Sequence, residues 1–255
     1  MAVQLTAAAF LTALEELRTD EQRERYRASF NPGPGDDFLG VRMGQVFTLA
    51  KAHLAMPIGE LERLLELPFH EARVGALSIM DKRARRASTT QEDRTAMFQL
   101  YLRRHDRIDN WDLVDLAAPH VIGGYLFDRP RDVLYELATS ANPWERRTAI
   151  TATWFFIRQD DLDDTFEIGR ILVNDDHHFV QTAVGGWLRE AGKRDRKRLE
   201  AFLDQHAAAM PRTALRFAIE HFEPDARQAY LAAGNDTHRR PARGEGLAVT
   251  KEGAP

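Results

Sequence analysis

The chain has 255 residues, a formal net charge of −4, 44% hydrophobic residues and 29% charged residues. This composition is typical of a soluble globular protein that can bury one full-sized core. The absence of cysteine excludes disulfides, Cys-ligated zinc, iron–sulfur clusters and thiol nucleophiles. No apolar run approaches the length of a membrane span, and the N-terminus lacks a secretory signal pattern. We therefore expect a cytoplasmic protein without membrane contacts.

Apolar residues at helical spacing predict α-helices along almost the whole chain. The first two helices are predicted over residues 5–17 and 21–30, and the Pro- and Gly-rich stretch 31–37 ends the second helix. Helical patterning resumes at Val46 and continues, with short breaks, to Leu231. Strand patterns are nearly absent, so the sequence predicts an all-α protein.

Three short segments repeat one sequence pattern. Residues 147–150, 181–184 and 212–215 read Arg-Thr-Ala-Ile, Gln-Thr-Ala-Val and Arg-Thr-Ala-Leu, and an earlier copy occupies residues 71–77. Periods in the thirties are typical of stacked helical pairs, each of which buries its apolar face against its neighbours. We therefore predict an all-α, HEAT-like helical-repeat solenoid over residues 1–232. Residues 233–255 lack apolar periodicity and predict a disordered tail.

Basic residues are concentrated in two segments of this mildly acidic chain. Residues 82–107 contain eight Lys or Arg against three Asp or Glu, and residues 189–198 contain six against two. Local basic segments suit a protein that meets phosphate on one face. The same charges are also compatible with two solvated helix faces.

Two asparagines carry the pattern of helix N-caps. If Asn110 and Asn142 cap two helices, then Asp115 and Arg147 occupy corresponding positions on neighbouring repeats and could face one groove. Trp111 and Asp115 lie four residues apart, on one helical face. The alternative is a packing tryptophan and a surface carboxylate.

Beyond Asp115, that helical face continues at Ala118 and Ile122 and is largely free of other charge. The nearby helix N-terminus and an Arg predict that Asp115 stays ionised.

Other chemistry is weakly indicated. The histidines, including the pair His177 and His178, show no metal-ligand spacing. No hydroxyl lies in a glycine-flanked nucleophile turn, and the pair Gly185 and Gly186 lies within a helical pattern rather than a phosphate loop. We therefore expect neither a metal nor a cofactor.

The order of these features resembles the AlkD-type DNA alkylation-repair glycosylases from about Tyr26 to Leu231. The residues that carry the resemblance are Phe38-Leu39-Gly40-Val41-Arg42, Pro68-Phe69-His70-Glu71-Ala72-Arg73, Asn110-Trp111-Asp112-Leu113-Val114-Asp115, Trp144-Glu145-Arg146-Arg147-Thr148-Ala149-Ile150, and Leu188-Arg189-Glu190 followed by Lys193-Arg194. The Trp-Asp block followed by the Trp-x-x-Arg block is fairly specific for that family.

The resemblance implies removal of N3- or N7-alkylated purines from duplex DNA by hydrolysis of the glycosidic bond, by a monomer without a cofactor. Asp115 would stabilise the developing sugar cation, Trp111 would pack against the deoxyribose, and Arg147 would hold a backbone phosphate. This family does not need to flip the base into a pocket. The DNA-binding residues implied are Tyr26, Lys82, Arg83, Arg146, Arg147, Trp187, Arg189, Lys193 and Arg194.

Two departures from the family pattern keep alternatives open. A second tryptophan usual in the family falls at Gly186 here, and Trp187 follows one place later, which would turn it about 100° around a helix and away from the sugar unless the helix is distorted. The usual Pro and Arg after residues 40–42 are also missing, because Met43 to Phe47 stand in their place. The alternatives are a non-catalytic relative that binds distorted or branched DNA, and a protein-interaction scaffold.

Overall fold

A computed structural model describes residues 4–30 and 37–233. The predicted tail, apart from Ala233, and all of the predicted 31–37 break except Asp37 therefore lie outside the described residues. The helices are α1 (Ala7–Leu17), α2 (Asp20–Ser29), α3 (Met43–Ala52), α4 (Ile58–Glu66), α5 (His70–Ala84), α6 (Gln91–Arg103), α7 (Trp111–Ala117), α8 (Gly124–Leu126), α9 (Asp132–Ala138), α10 (Pro143–Ala152), α11 (Trp154–Ile157), α12 (Asp163–Ile171), α13 (His178–Gly192), α14 (Arg196–His206), α15 (Arg212–Ala218) and α16 (Pro224–Ala233). A 3₁₀ turn (His105–Arg107) precedes α7 and a π-helix (Ala118–Gly123) follows it.

The longer helices form two rows. The front row consists of α3, α5, α7, α10, α13 and α15, each packed against the next. The back row includes α4, α6, α9 and α12, with neighbouring contacts between α4 and α6 and between α9 and α12. The four repeated sequence segments lie on α5, α10, α13 and α15, all in the front row. The predicted all-α helical-repeat fold is confirmed.

Glycine allows neighbouring helices to approach closely at two places. A Cβ at Gly185 would lie 2.2 Å from the carbonyl oxygen of Ala214, and one at Gly123 would lie 2.1 Å from that of Ala152. Both distances are far inside van der Waals contact, so any side chain there would push neighbouring helices apart. No helix in the described part of the chain is both long enough and apolar enough to cross a membrane.

A π-helix, with a wider turn than an α-helix, follows α7 directly. Ala118 and Ile122, which are predicted to continue the Asp115 face, are fully buried in the hydrophobic core, whereas Asp115 keeps 34% of its side chain exposed.

Candidate functional site

Helix N-caps place the two central charged residues. The side chain of Asn110 accepts a hydrogen bond from the backbone N–H of Trp111 at 2.8 Å, and that of Asn142 accepts one from Trp144 at 3.0 Å. Both predicted caps are thus present. Since α7 and α10 pack against each other, the fifth residues after the caps, Asp115 and Arg147, meet.

Asp115 and Arg147 form a two-pronged ion pair. Arg147 donates from Nε to Oδ1 of Asp115 at 3.0 Å and from Nη2 to Oδ2 at 2.7 Å. Its Nη1 donates to the carbonyl of Phe179 and to the hydroxyl of Thr182. The Arg147 side chain is only 7% exposed against 34% for Asp115. Arg147 is therefore a fixed support, and the carboxylate is the member of the pair that meets the solvent.

The environment of Asp115 disfavours its charged form. Burial raises the pKa of the carboxyl above its usual value, and the Arg147 guanidinium offsets only part of that rise. The neighbouring carboxylate of Asp112 raises the pKa further, while the Thr151 hydroxyl lowers it. The expectation that the helix terminus and the arginine would favour the ionised form thus left out the larger effect, which is loss of water around the carboxylate.

The ion pair opens into a cavity of about 520 Å³, which we call the aromatic cavity. Four helices, α7, α11, α13 and α15, contribute the aromatic side chains of its wall. These are Trp111, Trp154, Phe179, Trp187 and Phe217. Trp111 and Phe179 are each more than one third exposed, and the Trp111 ring stacks on Phe30 with an interplanar angle of 9°. A carboxylate amid aromatic faces is suited to a flat or cationic organic group.

Trp187 lies in the wall of this cavity, despite its shifted position in the sequence. Its indole N–H donates to the hydroxyl of Thr151 at 3.2 Å, and Thr151 is fully buried. The same hydroxyl lowers the pKa of the Asp115 carboxyl. Thr151 therefore connects one aromatic wall of the cavity to its carboxylate.

Basic residues at the end of α13 line or flank the cavity. Arg189 and Glu190 belong to its wall; Arg189 is paired with Glu190 and with Glu220. Lys193 donates to Glu190 at 2.7 Å. Burial alone would raise the pKa of Glu190, but Lys193 and Arg189 hold it below its usual value. Charged side chains of both signs therefore lie at this edge of the cavity.

The other residues predicted to bind DNA do not line the cavity. Tyr26 is buried and its hydroxyl donates to the carbonyl of Val41. Arg83 donates to Met56 and Asp93. Arg146 holds Asp175 with two bonds of 2.6 Å and 3.1 Å and also binds two backbone carbonyls. These three side chains are therefore occupied by contacts within the protein.

Two further predicted residues are more open. Lys82 donates to Ser78 and lies 5.1 Å from the centre of the Phe47 ring. Arg194 pairs with Asp160 and is 42% exposed.

The sequence did not predict several residues of the cavity. Trp154, Phe179, Thr182 and Phe217 all belong to the wall. The repeat register carried a usable signal for Phe217, because it follows Gly186 by the same 31 residues that separate Gln181 from Arg212. Among the described residues, no group of three or more His, Asp and Glu side chains is arranged to hold a metal ion.

Together, the two rows of helices and the aromatic cavity define an all-α helical-repeat protein whose cavity holds an arginine-bound carboxylate. Residues 10–222 match the family described as DNA alkylation repair enzyme. The chain belongs to this family, and its role lies in alkylation repair. The structure is similar to that of a predicted DNA alkylation repair enzyme from Enterococcus faecalis, with a TM-score of 0.65 and 16% identity over 87% of this chain and 99% of that chain. None of the curated proteins matches the chain.

Proposed function

We propose that the protein is a DNA glycosylase that hydrolyses the N-glycosidic bond of N3- or N7-alkylated purines in duplex DNA. The observation that carries this proposal is the Asp115 carboxylate, partly exposed in an aromatic cavity and held by Arg147. A helical protein that served only as a scaffold would not need a carboxylate held by a buried arginine in the wall of such a cavity. Membership of an alkylation repair family supports DNA as the partner.

The reaction needs one anion in the right place. An N3- or N7-alkylated purine is already cationic, so when the bond from C1′ to the base nitrogen breaks, both bonding electrons leave with the base, which becomes neutral. Positive charge then develops on the sugar. A fixed carboxylate, partly withdrawn from water, stabilises that charge more strongly than water does. Water adds to C1′ and gives up a proton, which leaves a deoxyribose hydroxyl.

The surrounding residues have roles that follow from their contacts. Trp111 and Trp187 line the same cavity as Asp115 and offer apolar faces for the sugar. Four hydrogen bonds occupy Arg147, whereas a guanidinium has five N–H groups. A phosphate contact by Arg147 would therefore use one remaining N–H, and its main contribution is to hold the carboxylate.

The test is release of 7-methylguanine or 3-methyladenine from methylated duplex by the wild type and by Asp115→Asn. We expect the variant to lose release by about 100-fold or more, the scale of losing one preorganised charge-stabilising group, while its affinity for duplex stays unchanged. Asp175→Asn is the matched control, because Asp175 forms an equally close pair with Arg146 outside the cavity. If the wild type releases base only at the spontaneous rate, the proposed glycosylase activity is refuted. Salt-dependent binding to duplex without base release would favour a non-catalytic DNA-binding protein.

A further inference from the structure

The first turn of α5 is bonded to the segment that carries Trp111. His70 donates from Nε2 to Oδ2 of Asp112, the residue after Trp111, at 2.7 Å. Three residues further along α5, Arg73 donates to Asp109 at 2.6 Å. Both donor side chains are almost completely buried. The start of α7 and the loop before it are therefore attached to α5 by two buried donors.

The carboxylate of Asp112 depends on His70 for its hydrogen bond. An ionised carboxylate only accepts hydrogen bonds, so Nε2 of His70 carries the hydrogen. The other oxygen of Asp112, Oδ1, is buried and has no hydrogen-bond partner in the part of the chain that the structure describes. A buried acceptor that loses its donor bears the full cost of desolvation. The position of Asp112, and with it the first turn of α7, therefore depends on the position of His70.

A chain of aromatic contacts also connects His70 to the ring of Trp111. The centre of the His70 ring lies 5.8 Å from that of Phe30 and 5.3 Å from that of Phe38. Phe30 in turn stacks on Trp111, with ring centres 6.1 Å apart. Trp111 is therefore linked to His70 in two ways, along the backbone by its neighbour Asp112 and through ring contacts by Phe30.

Packing alone does not require histidine at position 70. An apolar residue would fill the space beside the Phe30 and Phe38 rings without removing a polar pair from water, which is costly. A hydrogen bond has a preferred direction, so it fixes how two segments lie relative to each other. The segment fixed here carries Trp111, which lines the aromatic cavity, and Asp112, which is close enough to Asp115 to raise the pKa of its carboxyl.

We propose that His70 is a positioning residue that holds Trp111 in the wall of the aromatic cavity through Asp112 and Phe30. The effect on catalysis rests on the proposed glycosylase function, whereas the position of Trp111 can be measured without it. His70 is not part of the cavity wall, so it acts through Trp111 and not on the reacting atoms. Misplacing a positioned group by about 1 Å costs up to about 100-fold in rate.

The experiment observes Trp111 directly, by ¹⁹F NMR of protein with 5-fluorotryptophan at its four tryptophans and with the Trp111 resonance assigned from Trp111→Phe. His70→Phe keeps a ring and removes the hydrogen bond, whereas His70→Gln keeps a donor and removes the ring. His53→Phe is the matched control. His53 is also buried, donates to the carbonyl of Leu49 at 2.8 Å and contacts the Phe10 ring, but it is not part of the cavity wall.

Each variant is also assayed for the single-turnover rate of base release from methylated duplex, for duplex affinity and for unfolding in urea. If His70→Phe does not fold, His70→Phe/Asp112→Leu takes its place. That variant removes both partners of the bond, so that neither is left buried and unpaired.

We expect the Trp111 resonance to be displaced in His70→Phe, to be displaced less in His70→Gln, and to stay in place in His53→Phe. The rate of base release should fall about tenfold or more in His70→Phe, within the range that misplacement of a positioned group produces, while duplex affinity is unchanged. His70→Gln should recover part of the rate. His53→Phe should keep the wild-type rate even if it loses as much stability as His70→Phe.

A Trp111 resonance that stays in place without the His70 bond, or that moves equally in His53→Phe, overturns the inference and leaves the glycosylase proposal intact. A displaced resonance with an unchanged rate of release overturns the role of His70 in the reaction. If the wild type releases no base, the glycosylase proposal fails, and the Trp111 resonance alone decides whether His70 positions that side chain.

Discussion

Arg147 holds both carboxylate oxygens of Asp115, with Nε to Oδ1 at 3.0 Å and Nη2 to Oδ2 at 2.7 Å. The geometry is the parallel fork that a guanidinium makes with a carboxylate. Because Arg147 is almost fully buried and also bonds to α13 through Phe179 and Thr182, the pair joins three neighbouring front-row helices. Arg147 therefore has two roles: it links three helices, and it holds the carboxylate that we propose to be catalytic.

Replacement of the arginine tests this double role. Arg147→Ala leaves Asp115 without its cation and should lower the free energy of unfolding by about 3 kcal/mol, as for other broken buried pairs, and base release should fall with it. Urea unfolding measures the stability. In Asp115→Asn/Arg147→Ala the loss should be smaller than the sum of the two single losses, because the pair can be broken only once. Additive losses would show that the two residues are not coupled.

The raised pKa of Asp115 predicts how activity depends on pH. Base release should fall on the acid side as the carboxylate is protonated, with a midpoint above the usual carboxyl pKa. The free energy of unfolding should change in the opposite direction and rise as the pH falls. A carboxyl whose pKa is higher in the folded than in the unfolded protein costs stability above its folded pKa, and that cost disappears as the pH falls through it.

The measurement is the difference in unfolding free energy between wild type and Asp115→Asn across the pH range, which cancels the other carboxylates. We expect the wild type to gain stability relative to the variant as the pH is lowered. A relative loss over the same range would mean that Arg147 outweighs burial and that the carboxyl pKa is lowered.

The buried Thr151 hydroxyl predicts a change in the pH at which base release falls on the acid side. Thr151→Val keeps the shape but removes the acceptor of the Trp187 N–H, which lies at 3.2 Å, and removes the hydroxyl that lowers the pKa of Asp115. The variant should lose about 1–2 kcal/mol for the unsatisfied indole N–H. Its pH profile of base release should move to higher pH, and Thr151→Ser should restore it. A purely structural Thr151 would change stability and leave the midpoint where it was.

Much of this site followed from local sequence rules, because caps act within a few residues. Asn110 and Asn142 mark where α7 and α10 begin, and equal spacing from the caps brings Asp115 and Arg147 together once the repeats stack. The fold class likewise follows from a helical period and a repeat length, which are properties of one chain segment at a time.

The remaining features depend on contacts between segments. A π-helix spans Ala118–Gly123, directly after α7, although the apolar spacing there predicts only a helix and not its type. The burial that raises the pKa of Asp115 comes from neighbouring helices and cannot be read from its own. Trp187 lines the cavity, and its indole N–H donates to Thr151, a partner 36 residues away that no local pattern indicates.

The exposed ring of Trp111 separates catalysis from packing. Trp111 is 38% exposed and stacks on Phe30, and Phe127, outside the cavity wall, is equally exposed at 38%. Trp111→Ala and Phe127→Ala should each lose about 1 kcal/mol of stability, as expected for a half-exposed aromatic pair. Only Trp111→Ala should lower base release from methylated duplex. Equal release by both variants would remove Trp111 from the site.

Salt dependence distinguishes a DNA-binding protein from an interaction scaffold. Each Lys or Arg that neutralises a phosphate releases a counterion, so affinity for duplex should fall steeply with salt. Lys193→Ala and Arg194→Ala should each reduce the slope of log affinity against log salt by about 1, as for any lost phosphate contact, because both side chains are more than 40% exposed. Arg146→Ala is the control: Arg146 is bound to Asp175 and to backbone carbonyls, so its loss should lower stability and leave the slope unchanged. A duplex affinity that does not change with salt would exclude phosphate contacts and leave the scaffold as the better explanation of the basic end of α13.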